Sequence, residues 1–108
     1  MLDDVIRKGR LLDLYGALLT EKQRQCVHLY YNQDWSLREI GEALSVSRQG
    51  VYDMLHRSVQ ALEEYEKQLH LLAKNEKNNA VLTKLTALLA EQNPDISAIR
   101  CMVADIEI

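Results

Sequence analysis

The sequence has no phenylalanine, one proline and four glycines among its 108 residues. A many-stranded sheet needs turn residues at each reversal, so this shortage argues against one and suits helices. Cysteine is scarce too. Cys26 and Cys101 stand far apart, which gives no disulfide framework and leads us to expect a reduced, cytoplasmic protein with both cysteines as small buried hydrophobes. The opening Met1-Leu2-Asp3-Asp4 lacks the charged-then-apolar pattern of a signal peptide. No apolar run approaches the roughly 20 residues that span a bilayer, so no membrane insertion is expected.

An excess of positive charge is also missing. The net charge is −3, whereas dedicated nucleic-acid binders usually carry a basic excess. Residues 1–20 hold three basic and three acidic side chains, residues 21–60 five of each, and residues 61–108 five basic and eight acidic. The acidic excess therefore lies in the second half. The neutral centre offers little non-specific attraction to phosphate. Chemistry-bearing motifs are absent as well: the chain has no Gly-rich phosphate loop and no Gly-x-Ser-x-Gly turn. Cys26 and His28 are two apart, but His56, His70 and Cys101 do not complete the paired spacing of a zinc site. Cys26 reads as core and His28 as surface. No enzyme activity, cofactor, metal or small-molecule substrate is expected.

What is present is apolar material at helical spacing. Hydrophobic residues make up 47% of the chain. Asp3 or Asp4 can cap a first helix to about Leu18 with Ile6, Leu11, Leu14, Tyr15 and Leu18 on its stripe. Thr20 and Gln23 have the spacing of a capping box, in which side chain and backbone bond reciprocally across the first turn. The helix they open carries Cys26, Val27, Leu29, Tyr30 and Tyr31 and should end near Asn32 to Asp34. Ser36 and Glu39 form a second box, followed by Leu37, Ile40 and Leu44. Ser45-Val46-Ser47 breaks the chain, and Ser47 caps a long helix with Val51, Met54 or Leu55, Ser58 or Val59, Leu62, Tyr65 and Leu69, running to about Leu72. Lys74 to Asn79 reads as a polar joint. Beyond it come a helix with Val81, Leu82, Leu85, Leu88 and Leu89, a stop at Asn93-Pro94, and a last helix capped by Asp95 with Ile96, Ile99, Met102 or Val103, and Ile106.

The expected fold is all-α: a helix-turn-helix domain over residues 1–73 and a helical extension over 74–108 that packs on it or on a partner subunit. The apolar stripes beyond Leu62 exceed what a three-helix headpiece covers, so a homo-oligomer is expected. The Glu63, Glu64 and Glu66 cluster reads as a solvated face. Ser36 to Arg57 carries the information, with two serine-capped helices joined by a short turn over a shared core of Leu37, Ile40, Leu44, Val46, Val51 and Leu55. If the second helix enters a DNA major groove, Arg48, Gln49, Tyr52 and Asp53 face base edges, with His56 and Arg57 one turn on. Arg38 and Ser47, with Ser36, then face phosphate. The same polar groups also fit a solvated or protein-docking face. Tyr30, Tyr31, Trp35 and Tyr52 suit stacking on bases, although Tyr30 and Trp35 read better as closing the core.

Leu29-Tyr30-Tyr31-Asn32-Gln33-Asp34-Trp35-Ser36-Leu37-Arg38-Glu39-Ile40 and Val46-Ser47-Arg48-Gln49-Gly50-Val51-Tyr52-Asp53 resemble the YlxM family of small bacterial proteins, as does Leu19-Thr20-Glu21-Lys22-Gln23 upstream. The match covers roughly Leu11 to Leu69. The resemblance implies a sigma-factor region-four-like helix-turn-helix. That family is encoded beside the signal recognition particle genes, so the resemblance also implies a regulatory part in that pathway. Its GTPase Ffh or its RNA is the candidate partner, and double-stranded DNA the alternative. Gly41 and Gly50 stand where relatives usually carry alanine, each at a cost of about 1 kcal/mol of helix stability. Leu55-His56-Arg57 replaces a run that commonly holds a lysine.

Overall fold

The computed structural model describes residues 2–107, and every regular element among them is helical. Helix α1 (Leu2–Tyr15) starts at Leu2, so Asp3 and Asp4 lie within its first turn instead of capping it. Carboxylates there still favour the positive end of the helix dipole. Leu11, Leu12 and Tyr15 are buried, whereas Ile6 and Leu18, expected inward, are exposed. Ile6 falls half a turn away from the stripe through Leu11 and Tyr15. Leu18 is carried off it because the chain tightens into a 3₁₀ turn over Gly16–Leu18.

Helix α2 (Glu21–Val27) opens with the anticipated capping box. The Thr20 hydroxyl accepts from the Gln23 backbone N–H, and the Gln23 side chain accepts from that of Thr20. Its end was not foreseen. Residues His28–Asn32 form a π-helical turn, in which the Gln33 N–H donates to the His28 carbonyl at 3.2 Å. The extra residue shifts the side-chain phase, so Tyr31 takes the inward place that α-helical spacing from Cys26 and Val27 gives to Tyr30. Tyr30 is exposed and Tyr31 half-buried, which corrects the expectation that Tyr30 closes the core. Asp34 then adopts a left-handed backbone, and Trp35 is half-buried.

Helix α3 (Leu37–Leu44) begins at the complete Ser36–Glu39 box. It ends at Ser45, a left-handed residue with φ 58°. The Ser45 and Val46 N–H groups both donate to the Gly41 carbonyl, the Schellman-type arrangement that satisfies the last carbonyls of a helix. Ser47 caps helix α4 (Arg48–Leu69), its hydroxyl accepting from the Gly50 N–H. Helix α4 packs against α1, α2 and α3, with Val51, Leu55, Ser58 and Leu62 inside. Ser58 takes the inward place ahead of Val59. Its hydroxyl donates to the Met54 carbonyl at 2.7 Å, so a small polar group is buried without an unmet hydrogen bond.

The seam between α1 and α4 is partly polar. The buried Tyr15 hydroxyl donates to the buried Glu66 carboxylate at 2.7 Å. One turn away, Arg7 donates to both oxygens of Glu63 at 3.1 and 2.8 Å, and Lys8 adds a third bond at 2.8 Å. Glu63 and Glu66 are therefore seam residues, not a solvated face. The Arg7 bonds, foremost, and Lys8 hold the Glu63 carboxyl down to about 2 against desolvation that pushes it up.

The chain divides into two compact units, Met1–His70 and Leu71–Ile108. Helix α4 stops at His70, which is left-handed at φ 57°, not at about Leu72. Residues 74–79, expected to be a joint, lie inside helix α5 (Leu71–Leu89). Helix α6 (Ile96–Ala104) has the anticipated cap, Asp95 accepting from the Ala98 N–H, and packs on α5.

Two outcomes follow for stability. A Cβ at Gly41 would lie 2.6 Å from the Val46 carbonyl oxygen, a backbone atom that cannot swing aside. Gly41→Ala should therefore lower stability in urea titration by about 1–3 kcal/mol, the usual range for overpacking, although helix propensity alone favours alanine. For Glu63, a folded value held below the ordinary 4.5 means that its stabilisation is present above that pH and is lost as pH falls toward about 2. Glu63→Gln should lower stability at neutral pH and flatten that acid limb in pH-dependent thermal melts.

Candidate recognition face

Because α3 and α4 are fixed by the turn at Ser45–Ser47, the first turns of α4 face outward. All eight residues singled out from the sequence lie on or beside this surface: Arg38, Ser47, Arg48, Gln49, Tyr52, His56 and Arg57 are exposed and Asp53 is half-buried. Several already have partners. Arg38 Nε pairs with Glu42 at 3.3 Å, the Ser47 hydroxyl serves as cap, and the Gln49 amide donates to Asp53 at 3.1 Å. Tyr52 and His56 stack with centroids 5.0 Å apart. Among the described residues Arg48 and Arg57 make no ion pair.

The two arginines do not form one patch. From their spacing, they flank opposite sides of the exposed face, with Gln49 and Asp53 between them. Arg48 shares a shallow depression with Leu37, Gln49 and Tyr52, while Arg57 lines another with Lys22 and Gln23. Residues 36–57 contain three basic side chains (Arg38, Arg48, Arg57) and three acidic ones (Glu39, Glu42, Asp53). Local charge is thus balanced, and a carboxylate sits between the two arginines. Glu39 is held in its ionised form by hydrogen bonds from Ser36, which depress its carboxyl below the usual range.

Beside this face runs a groove of about 330 Å³ lined by Tyr30, Tyr31, Leu37, Tyr52, His56 and Val59, among others. Tyr30 and Tyr31 meet edge to face at 5.0 Å. Burial pushes the Tyr31 hydroxyl up, and Asp4 adds to this. Of the four aromatic residues considered for stacking, Tyr30, Tyr31 and Tyr52 converge here and Trp35 does not. Val59 and Gln60 were not anticipated as part of a site. The only sequence signal was their i+7 and i+8 spacing from Tyr52, which is equally that of any amphipathic helix.

Cys26 is buried and His28 exposed, but Cys101, expected inside as well, is exposed, on a turn of α6 that faces away from α5. Desolvation raises the Cys26 thiol, which makes it a poorer nucleophile. The Asn32 amide lies 3.0 Å from His28 Nδ1. Among the described residues no three His, Cys, Asp or Glu side chains converge as a metal site, and no helix is long and apolar enough to cross a membrane.

An α3–turn–α4 unit of this kind, its second helix open to solvent at its start, defines a helix-turn-helix protein. Comparison with known proteins goes one step further. Residues 2–101 match the model of the UPF0122 family, described as "Putative helix-turn-helix protein, YlxM / p13 like", and the chain belongs to that family. It is 50% identical over 92 residues to a UPF0122 protein of Halalkalibacterium halodurans, covering 85% of this chain and 84% of that one. It is 43% identical over 101 residues to one from Pediococcus pentosaceus, covering 94% and 89%. With one from Bacillus mycoides it shares 43% identity over 107 residues, covering 99% and 97%. The family description is of a helix-turn-helix protein and names no reaction.

The Ser47 cap places this face. Ser47→Ala should cost about 1 kcal/mol and speed hydrogen exchange at the first amides of α4 while leaving those around Leu62 protected.

Proposed function

We propose that this protein is a non-catalytic, cytoplasmic regulatory protein that docks a protein partner through the face formed by Arg48, Gln49, Tyr52 and His56 and the adjoining tyrosine groove. The observation that carries this reading is the charge balance of an open recognition helix beside an aromatic groove. Protein interfaces are enriched in Tyr and depleted of charge at their centres, whereas duplex binding draws much of its affinity from neutralising phosphates. The resemblance to the YlxM family supports a place in the signal recognition particle pathway, with its GTPase Ffh as the candidate partner. The acidic balance of the chain suits a basic surface on such a partner.

A second reading, a transcriptional regulator on double-stranded DNA, is favoured by the helix-turn-helix itself and by Arg48 and Gln49, which can pair with guanine and adenine. Equilibrium binding of the full chain to purified Ffh, to its RNA and to a random duplex pool separates the two. We expect retention of Ffh with shallow salt dependence. Tyr52→Ala should weaken binding by tenfold or more, as loss of a central aromatic anchor does. No retention of Ffh at low salt counts against this function. A duplex site selected from the pool, lost steeply with salt and sensitive to Arg48→Ala, establishes the DNA reading instead.

A further inference from the structure

The second unit is short of the material that makes a fold self-sufficient. It spans Leu71–Ile108, and segments below about 40 residues usually need a metal, a disulfide or association to hold together. Among its described residues only Leu72 and Leu85 are buried. Its geometry is nevertheless well specified. The Asn78 side chain bonds Glu107 twice, donating to its carbonyl and accepting from its N–H at 2.9 Å, while Lys77 pairs with the Glu107 carboxylate at 3.0 Å. These bonds set an antiparallel register in which residue 78 is level with residue 107. The same register brings Leu82 level with Val103 and Leu89 level with Ile96.

Those four residues are the conspicuous ones. Leu82 is 47% exposed, Leu89 61%, Ile96 55% and Val103 55%. The more covered side chains are Val81, Leu85 and Leu88 on α5, Ile99 and Met102 on α6, and Ile106 just past its end. On each helix the exposed pair is rotated from these in the same sense, at a seven-residue spacing. Because the helices run in opposite directions, stripes displaced in the same rotational sense emerge on the same side of the hairpin. The result is a flat aliphatic face two layers deep.

We propose that this face is the homodimer interface, two α5–α6 hairpins from two copies packing into a four-helix bundle. Two observations favour a second copy as the occupant. At these exposures each side chain presents on the order of 100 Å², so the four bring roughly half of the about 800 Å² per partner of a standard interface. That is close to the apolar share of such interfaces. The four positions are themselves aliphatic, and the nearest charge, the exposed Arg100, flanks Ile96 and Val103 one turn from each. The rim is prepared for burial, since Thr86, one turn from Leu82 and Leu89, donates to the Leu82 carbonyl at 2.9 Å. This hydroxyl therefore does not depend on water. The inference is independent of what α4 binds, because it uses no residue of the recognition face.

Sedimentation equilibrium of the full chain tests it. The wild type should show twice the 12.4 kDa chain mass at micromolar concentration, and the thermal midpoint should rise with concentration. Leu89→Lys combined with Val103→Asp should weaken association tenfold or more, with the far-UV signal of the headpiece retained. Tyr52→Ala should leave the mass unchanged. Should the double variant lose helicity, the wild type supplies the readout. Amide protection of residues 82–89 and 96–103 should then fall on dilution while that of α4 holds. A monomeric wild type, a double variant that associates as the wild type does, protection that ignores dilution, or a dimer broken by Tyr52→Ala would each overturn the proposal.

Discussion

Where α3 meets the turn, a carbonyl at Gly41 accepts two N–H groups from Ser45 and Val46, and the Val46 carbonyl returns to within 2.6 Å of where a Cβ at Gly41 would stand. This contact of backbone on backbone sets the angle between α3 and α4, and so which side of α4 faces the core. Val51 and Leu55 point inward because of it, and Arg48, Gln49 and Tyr52 point outward. Ser45 tolerates the left-handed conformation that the turn requires. The glycine that allows the approach sits four residues earlier, inside the helix, not in the turn where helix-turn-helix motifs usually carry one.

The headpiece closes along a seam whose polar groups are chosen with the same economy. Tyr15 and Glu66 bury a hydroxyl and a carboxylate together, and Ser58 satisfies itself within its own helix. An unmet buried polar group costs about 1–3 kcal/mol, and among the described residues no buried side-chain nitrogen or oxygen lacks a partner. Polar seams of this kind fix register better than aliphatic ones, because a slip of one turn would strand the Tyr15 hydroxyl and the Glu63 carboxylate at once. The outer face of α4 is then spared from holding the fold together, and Arg48, Tyr52 and Arg57 stay exposed.

Legibility followed distance along the chain. The caps at Thr20, Ser36, Ser47 and Asp95 each depend on contacts within one turn, and all four stand as read from the sequence. So does the identification with the YlxM-like family, which rests on residue order. The start of α1 and the break at His70 were misplaced, since neither has a side chain that forces it. Glycine would have signalled a left-handed stop, but His70 carries no such mark. An unbroken 3.6-residue period puts Tyr30 in the core, and a single π-turn carries it to the surface. On a propensity scale Gly41 is only a weak helix residue, because its neighbour in space, the Val46 carbonyl, is invisible to such a scale.

By itself the sequence determined the all-helical class, the paired capping boxes and the open first turn of α4, because these arise from period and from interactions three or four residues apart. Tertiary structure alone decided that Glu63 and Glu66 belong to a seam with α1, that three tyrosines share one groove and that two stripes of α5 and α6 merge into one face. Each of those joins residues whose separation in the chain carries no spacing signal, so only packing could bring them together.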